Sequence, residues 1–271
     1  MIDAGSYNNL GQLLHDAMVM HKSRTALVEL SRKREAGRWS YLDMRCATQA
    51  LQHWFTDAGV TPGMRVALIM SNQPRWLLAA AALLARGAVL VPLDYKLTPA
   101  EHDALLAHSG AGMVVAEYAF WRKLGSDLPA LVSEAPPRVD LPDHATRFAT
   151  ALEAPRLHDA PWSSQRDDIA SIVYSSGTGG APKGCMMSHG AYLSQLDALL
   201  RLYPMEPDDS WFSILPTNHA IDFMCGFLGP LACGARVVHQ RALRPEFLLW
   251  SMKRFVTDTP PINTLGQRSD Q

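Results

Sequence analysis

Apolar and polar residues follow two alternating patterns along the first half of the chain. Leucine and alanine recur at helical spacing after Asn9, and an extended apolar run follows at residues 25–30. Residues 65–70, 88–93 and 112–116 are further apolar runs of strand length, with helical segments between them. Three strand-then-helix units in succession predict an α/β fold with doubly wound, largely parallel sheets and flanking helices.

The predicted helices have recognisable ends. Residues 40–43 and 98–101 are capping boxes, in which a hydroxyl and a carboxylate satisfy free backbone N–H groups at the start of a helix. Asn72 and Pro74 are predicted to start the helix between the second and third strands. The alanine-rich run that begins at Trp76 indicates a buried helix face in preference to a cofactor slot.

Changes in pattern divide the chain into four parts. Residues 1–128 are predicted to form a first α/β subdomain. Residues 129–168 are rich in proline and acidic side chains and lack periodicity, so we expect a connecting segment. Residues 169–256 form a second α/β portion, in which residues 188–200 are predicted to be helical. Residues 257–271 are a divergent polar tail.

Composition excludes several classes of function. The 25 basic and 26 acidic side chains nearly cancel, so no overall field attracts nucleic acid or anionic membranes. The longest uncharged apolar stretch, residues 76–85, has half the length of a membrane span, and no signal peptide is evident. Neither the four cysteines nor the ten histidines show the spacing of a metal site, so we expect no protein-built metal site. We expect a cytoplasmic protein.

A loop rich in glycine and hydroxyl groups follows the apolar run at residues 169–174. Its sequence is Ser-Ser-Gly-Thr-Gly-Gly-Ala-Pro-Lys-Gly at residues 175–184. Glycines let successive backbone N–H groups turn toward one anion, while hydroxyls and a lysine add mobile donors. The pattern predicts a phosphate-binding loop whose binding residues are Ser175, Ser176, Gly177, Thr178, Gly179, Gly180 and Lys183.

Other interpretations of this loop are available. A Walker A loop is excluded, because Pro182 precedes the lysine and Gly184 follows it where a serine or threonine is required. A solvent-exposed turn is the simpler alternative, since clusters of glycine, serine and threonine commonly form turns. Lys183 could accordingly be a solvated side chain.

The loop resembles the signature of the AMP-forming adenylating enzymes, a superfamily that includes acyl-CoA synthetases and the adenylation domains of peptide synthetases. The signature is Ser/Thr-Ser-Gly-Thr-Thr-Gly-x-Pro-Lys-Gly, and residues 175–184 match every fixed position except one. Gly179 replaces the second threonine, which removes one hydroxyl from the phosphate site. The apolar and glycine positions of residues 39–93 resemble the same superfamily.

A second run is similar to the superfamily's next motif. Residues 215–238 fit the pattern Leu-Pro-x-x-His, followed by an apolar helix and Gly-Ala-x-Val-Val. The resemblance implies that His219 borders the acyl pocket and contacts the carboxylate or adenylate, and we assign it as the catalytic candidate; a structural histidine is the alternative. Asp222 replaces the superfamily's usual glycine, and either helix capping or recognition of a cationic or hydroxylated substrate would explain it.

The resemblance implies a carboxylic acid:CoA ligase. Such an enzyme joins a small-molecule carboxylic acid to the α-phosphate of ATP, releases pyrophosphate, and transfers the acyl group to CoA. Mg²⁺ would arrive with the nucleotide phosphates. Transfer to a carrier protein in place of CoA is the alternative.

Superfamily members are about twice this long, and their adenine and ribose motifs and small C-terminal domain lie beyond the second motif. We therefore expect a truncated ligase with little or no activity alone. The alternatives are a non-catalytic nucleotide-binding remnant and one subunit of a split enzyme, completed by a separate C-terminal chain.

Overall fold

The computed structural model describes residues 2–156, 164–175 and 182–256. Within these ranges, eleven strands alternate with helices along the chain. The strands are β1 (Thr25–Ser31), β2 (Arg34–Ser40), β3 (Arg65–Ile69), β4 (Val89–Pro92), β5 (Met113–Glu117), β6 (Ala130–Ser133), β7 (Ala145–Arg147), β8 (Ile169–Ser175), β9 (Lys183–Ser188), β10 (Ser210–Ser213) and β11 (Arg236–Gln240).

Two of the helices begin at capping boxes that the sequence supplies. Ser40 and Thr98 each accept a hydrogen bond from the third helical residue, and both capping boxes are complete. The helices are α1 (Leu10–Met20), α2 (Tyr41–Asp57), α3 (Pro74–Ala85), α4 (Pro99–Ser109), α5 (Tyr118–Trp121), α6 (Phe148–Ala151), α7 (His189–Leu202), α8 (Ala220–Asp222), α9 (Gly229–Cys233) and α10 (Pro245–Val256), with a π-helix, Phe223–Leu228, between α8 and α9.

The large sheet has seven strands in the order β7-β6-β5-β3-β4-β8-β9. All neighbouring pairs are parallel except β8 and β9, which are antiparallel. The carboxyl ends of β3, β4, β5 and β8 therefore lie at one edge of the sheet, the edge at which parallel α/β sheets bind ligands.

The small sheet has four strands in the order β10-β11-β1-β2. The pairs β10–β11 and β11–β1 are parallel, and β1–β2 is antiparallel. Strands from the beginning and end of the described chain thus share one sheet. Together the two sheets confirm the predicted α/β class with largely parallel sheets and flanking helices.

The segment 129–168 contains more regular structure than its sequence pattern suggests. Its strands β6 and β7 extend the large sheet beyond β5, and α6 follows them. Both strands are short. β6 is buried at every position, so its sequence lacks the alternation of apolar and polar residues that marks a half-exposed strand.

Helix α3 fills the space between the sheets. It packs against α1, α2, β4 and β1, and every residue from Trp76 to Ala85 is buried. Trp76 is fully buried and contacts the rings of Phe223 and Phe227 edge-on, at centroid distances of 6.1 and 5.9 Å. The apolar run is therefore a core helix, as its sequence predicts.

Five charged side chains join the two sheets beside α3. Arg241, after β11, lies 3.5 Å from Glu117, 3.0 Å from Glu134 and 3.8 Å from Glu29. Arg75 of α3 lies 3.9 Å from Glu29 and 3.7 Å from Glu134. Burial raises the pKa of Glu134, and the nearby Arg241 opposes that shift. Each charge is compensated by an opposite one where the sheets meet.

Candidate functional site

The predicted phosphate loop connects two antiparallel strands, and the first of them, β8, ends at the carboxyl edge of the large sheet. β8 ends at Ser175, β9 starts at Lys183, and these two residues are direct partners in the ladder. Among the predicted binding residues, Ser176, Gly177, Thr178, Gly179 and Gly180 lie outside the described residues.

The two ends of the loop show how the strands hold it. Lys183 is exposed, and because it pairs with Ser175 its Cα lies about 5 Å away, beside the start of the loop. Gly184 pairs with Tyr174, and a Cβ at Gly184 would lie 2.7 Å from Cγ2 of Ile172. The glycine after the lysine is therefore required by close packing across the hairpin.

His219 lies on a turn that follows β10 of the small sheet. Its backbone N–H donates to the carbonyl of Pro216 at 2.8 Å, and its own carbonyl accepts from Phe223 N–H at 2.9 Å. Its side chain is exposed at the N-terminus of α8. The backbone is thus fixed on both sides, while the imidazole is open to solvent.

Asp222 is buried one turn beyond His219. Its Oδ2 accepts hydrogen bonds from the hydroxyls of Ser213 and Thr217, both at 2.9 Å. It makes no capping bond at the start of α8 or of the π-helix, so helix capping, one of the two explanations considered for this residue, is wrong. Burial raises the pKa of Asp222 to about 6, against the hydrogen bonds of Ser213 and Thr217 and the field of His219. This carboxylate is engaged by the protein's own hydroxyls.

Asn72 links the second motif to the large sheet. It follows β3, and Gln73, not Asn72, occupies the N-cap of α3. Asn72 Nδ2 donates to Ser213 Oγ at 2.9 Å and to the carbonyl of Leu215, and Asn72 Oδ1 accepts from Thr217 N–H at 2.9 Å. The sequence-based prediction that Asn72 starts α3 is therefore wrong, because its side chain is committed to the turn before His219.

A chain of contacts joins the strand before the phosphate loop to the second motif. Ser171 on β8 forms a 2.7 Å hydrogen bond with the hydroxyl of Tyr192 on α7. The Tyr192 ring lies 4.9 Å from that of Phe223, which follows Asp222. Asn72 provides the second link, because it lies at the carboxyl edge of β3, two strands or about 10 Å from β8. Both motifs therefore adjoin the same edge of the large sheet.

Sequence reasoning gave no indication of Asn72, Ser213 or Thr217 as parts of this site. Asn72 precedes Ser213 by 141 residues, so no local pattern could connect them. The only available signal was the polar residue at position 222 within an apolar helix.

The described residues bring no three His, Cys, Asp or Glu side chains together in a way that would hold a metal ion. In the same ranges, every helix is too short or too polar to cross a bilayer. The predicted arrival of Mg²⁺ with the nucleotide remains a prediction.

Comparison with known proteins relates the chain to ligases. The family model for AMP-binding enzymes matches residues 14–258. A crotonobetaine/carnitine–CoA ligase from Citrobacter koseri is 26% identical over 231 residues, which cover 80% of this chain and 43% of the ligase. The chain thus spans less than half the length of this curated relative.

Solved structures share the fold. The acyl-CoA synthetase of Brucella canis superposes with a TM-score of 0.81 at 22% identity, over 91% of this chain and 45% of the synthetase. Apo MatB from Rhodopseudomonas palustris gives a TM-score of 0.75 at 23% identity, over 93% of this chain and 51% of MatB.

Proposed function

The chain belongs to the AMP-binding enzyme family, and from that premise we propose that it carries part of the active site of an AMP-forming carboxylic acid:CoA ligase. The observation that supports this most strongly is the position of two motifs at one sheet edge. The hairpin of β8 and β9 carries the signature loop there, and Asn72 holds the turn of His219 against the same edge.

The reaction joins two anions, the carboxylate of the acid and the triphosphate of ATP, so the site needs donors and cations. In this proposal the backbone N–H groups and hydroxyls of residues 175–180 hold the β- and γ-phosphates and stabilise the departing pyrophosphate. Lys183, exposed beside the start of the loop, contacts the γ-phosphate. The carboxylate is itself the nucleophile, and His219 contacts it or the adenylate.

The phosphates would also bring Mg²⁺, which would supply positive charge against the leaving pyrophosphate. CoA then accepts the acyl group and AMP is released. The 271 residues alone are expected to give little or no turnover, because they match less than half of the curated ligase. That same coverage supports the second candidate, a nucleotide-binding subunit whose chemistry requires a separate chain.

Calorimetric titration with Mg-ATP and with magnesium tripolyphosphate tests the phosphate site. Lys183→Gln should weaken binding of both ligands about tenfold to a hundredfold, because a charge-assisted contact contributes roughly 1.5–3 kcal/mol. Lys22→Gln is the matched control, since Lys22 is exposed at the amino end of β1. Absence of binding by the parent chain, or equal affinity of all three proteins, would contradict the proposal.

ATP–pyrophosphate exchange with a panel of carboxylic acids tests the chemistry. Binding of tripolyphosphate without exchange fits either candidate. Robust exchange by these residues alone would overturn the expectation of low activity and would exclude the non-catalytic candidate.

A further inference from the structure

Four polar side chains form a closed circuit of hydrogen bonds beneath His219. Asn72 donates to Ser213, the hydroxyls of Ser213 and Thr217 both donate to Asp222, and the Thr217 N–H donates back to Asn72. The circuit, termed the clamp ring, consists of Asn72, Ser213, Thr217 and Asp222.

The clamp ring connects elements that are distant in sequence. Asn72 follows β3 of the large sheet, Ser213 ends β10 of the small sheet, and Asp222 ends α8. Ser213, Thr217 and Asp222 are at least 96% buried. Hydrogen bonds that are shielded from water in this way are costly to lose. When one partner is removed, the other is left as a buried polar group without a hydrogen bond.

The local helix geometry makes room for the carboxylate. Asp222 is followed directly by the π-helix, a rare form that is often found at functional sites. Gly226 lies one turn away, and a Cβ there would approach Asp222 Oδ1 to 2.5 Å. The buried carboxylate therefore depends on glycine at position 226.

We propose that the clamp ring positions His219 for the acid-binding side of the active site, an inference that rests on the proposed function. The turn between Ser213 and Asp222 has one exposed imidazole at its outer end and the ring at its base. Without the ring, the backbone around His219 would be held by its contacts with Pro216 and Phe223 and by the bond from Asn72 to the carbonyl of Leu215. Asn72 and Asp222 are positioning residues in this scheme, and neither contacts the substrate.

Matched substitutions in the 271-residue chain test the proposal. Thr217→Val keeps the shape of the side chain and removes its hydroxyl, whereas Thr217→Ser keeps the donor. Asp222→Ala removes the acceptor, whereas Asp222→Asn keeps an oxygen to accept both hydroxyls. Amide hydrogen exchange at Thr217 and His219 should accelerate about fivefold to tenfold in the first variant of each pair, and the second variant should restore protection.

The amide of Leu93, which donates to the carbonyl of Leu68 within the large sheet, reports on the fold as a whole. Its exchange requires global unfolding, so it measures how far each variant destabilises the whole protein. Unchanged exchange at the turn while Leu93 accelerates would show that the ring adds only global stability. Unchanged exchange at both places would show that the ring does not hold the turn. Either result would overturn the proposal.

The ¹H–¹³C resonance of His219 Cε1 can be identified by its loss in His219→Gln. A change in global stability alone would not alter the chemical shift of this resonance. Thr217→Val should displace or broaden it, and Thr217→Ser should leave it in place; an identical signal in both would contradict positioning. The affinity for magnesium tripolyphosphate separates the proposed function from the role of the clamp ring. If the parent chain does not bind tripolyphosphate, the proposed function is refuted. The hydrogen-exchange data would still decide whether the clamp ring holds the turn.

Discussion

Asp222→Asn should change how the stability of the protein depends on pH. Burial raises the pKa of Asp222 from 3.8 to about 6 in the folded chain. Between these values the folded state holds a proton that the unfolded state releases, so the stability that Asp222 contributes is lost as pH rises. Below pH 3.8 the contribution is fully present, and above about pH 6 it is gone.

The size of this loss of stability follows from the shift in the pKa of Asp222. A pKa shift of about two units corresponds to roughly 3 kcal/mol of unfolding free energy. Asparagine does not titrate, so the free energy of unfolding of the parent should fall by about that amount relative to Asp222→Asn between pH 4 and pH 6.5. The comparison between two proteins removes the contributions of distant titrating groups.

Urea unfolding followed by tryptophan fluorescence at half-unit intervals from pH 4 to pH 7.5 measures this difference. The control is Asp140→Asn, which makes the same chemical change at an exposed side chain outside the site. A constant difference for Asp222→Asn would show that the pKa of Asp222 is the same in the folded and unfolded chains. A difference that grows in favour of the parent as pH rises would contradict the raised pKa as well, since it would mean that the folded protein stabilises the ionised carboxylate.

Three further substitutions test the fold around the site. Glu117→Ala should lower the unfolding free energy by about 3 kcal/mol in urea titrations, because it removes a buried partner of Arg241 and the acceptor for Ser71 and Gln73; a loss below about 1 kcal/mol would show that these contacts add little. Burial lowers the pKa of His189 from 6.5 to about 4, so its contribution is present above pH 6.5 and lost toward pH 4, and His189→Gln should make unfolding less sensitive to acid in that range. An unchanged slope would contradict this assignment. Gly184→Ala should force Ile172 aside and lower the thermal unfolding midpoint by several degrees, whereas an unchanged midpoint would mean that the hairpin packs less tightly.

Local features of the fold could be predicted from sequence because their signals lie within a few residues. The capping boxes at residues 40–43 and 98–101 are four-residue patterns, and both form as predicted. The strands β6 and β7 could not be predicted in the same way. They are three or four residues long. They form strands because β6 pairs with the edge of β5 and β7 pairs with β6.

The candidate site was only partly predictable, for a related reason. The sequence motif indicates where His219 lies, and the apolar strand before the predicted phosphate loop indicates where that loop starts. The clamp ring depends on Asn72 meeting Thr217 across 145 residues of chain. Such a pairing is set by how the two sheets pack, which no periodicity within either segment encodes.

A crystal structure of the chain grown with Mg-ATP is the most direct test of the phosphate site. We expect triphosphate density enclosed by the backbone of residues 176–180, with the Lys183 ammonium against the γ-phosphate. Nucleotide bound at another surface, or a loop that remains empty at saturating Mg-ATP, would contradict it.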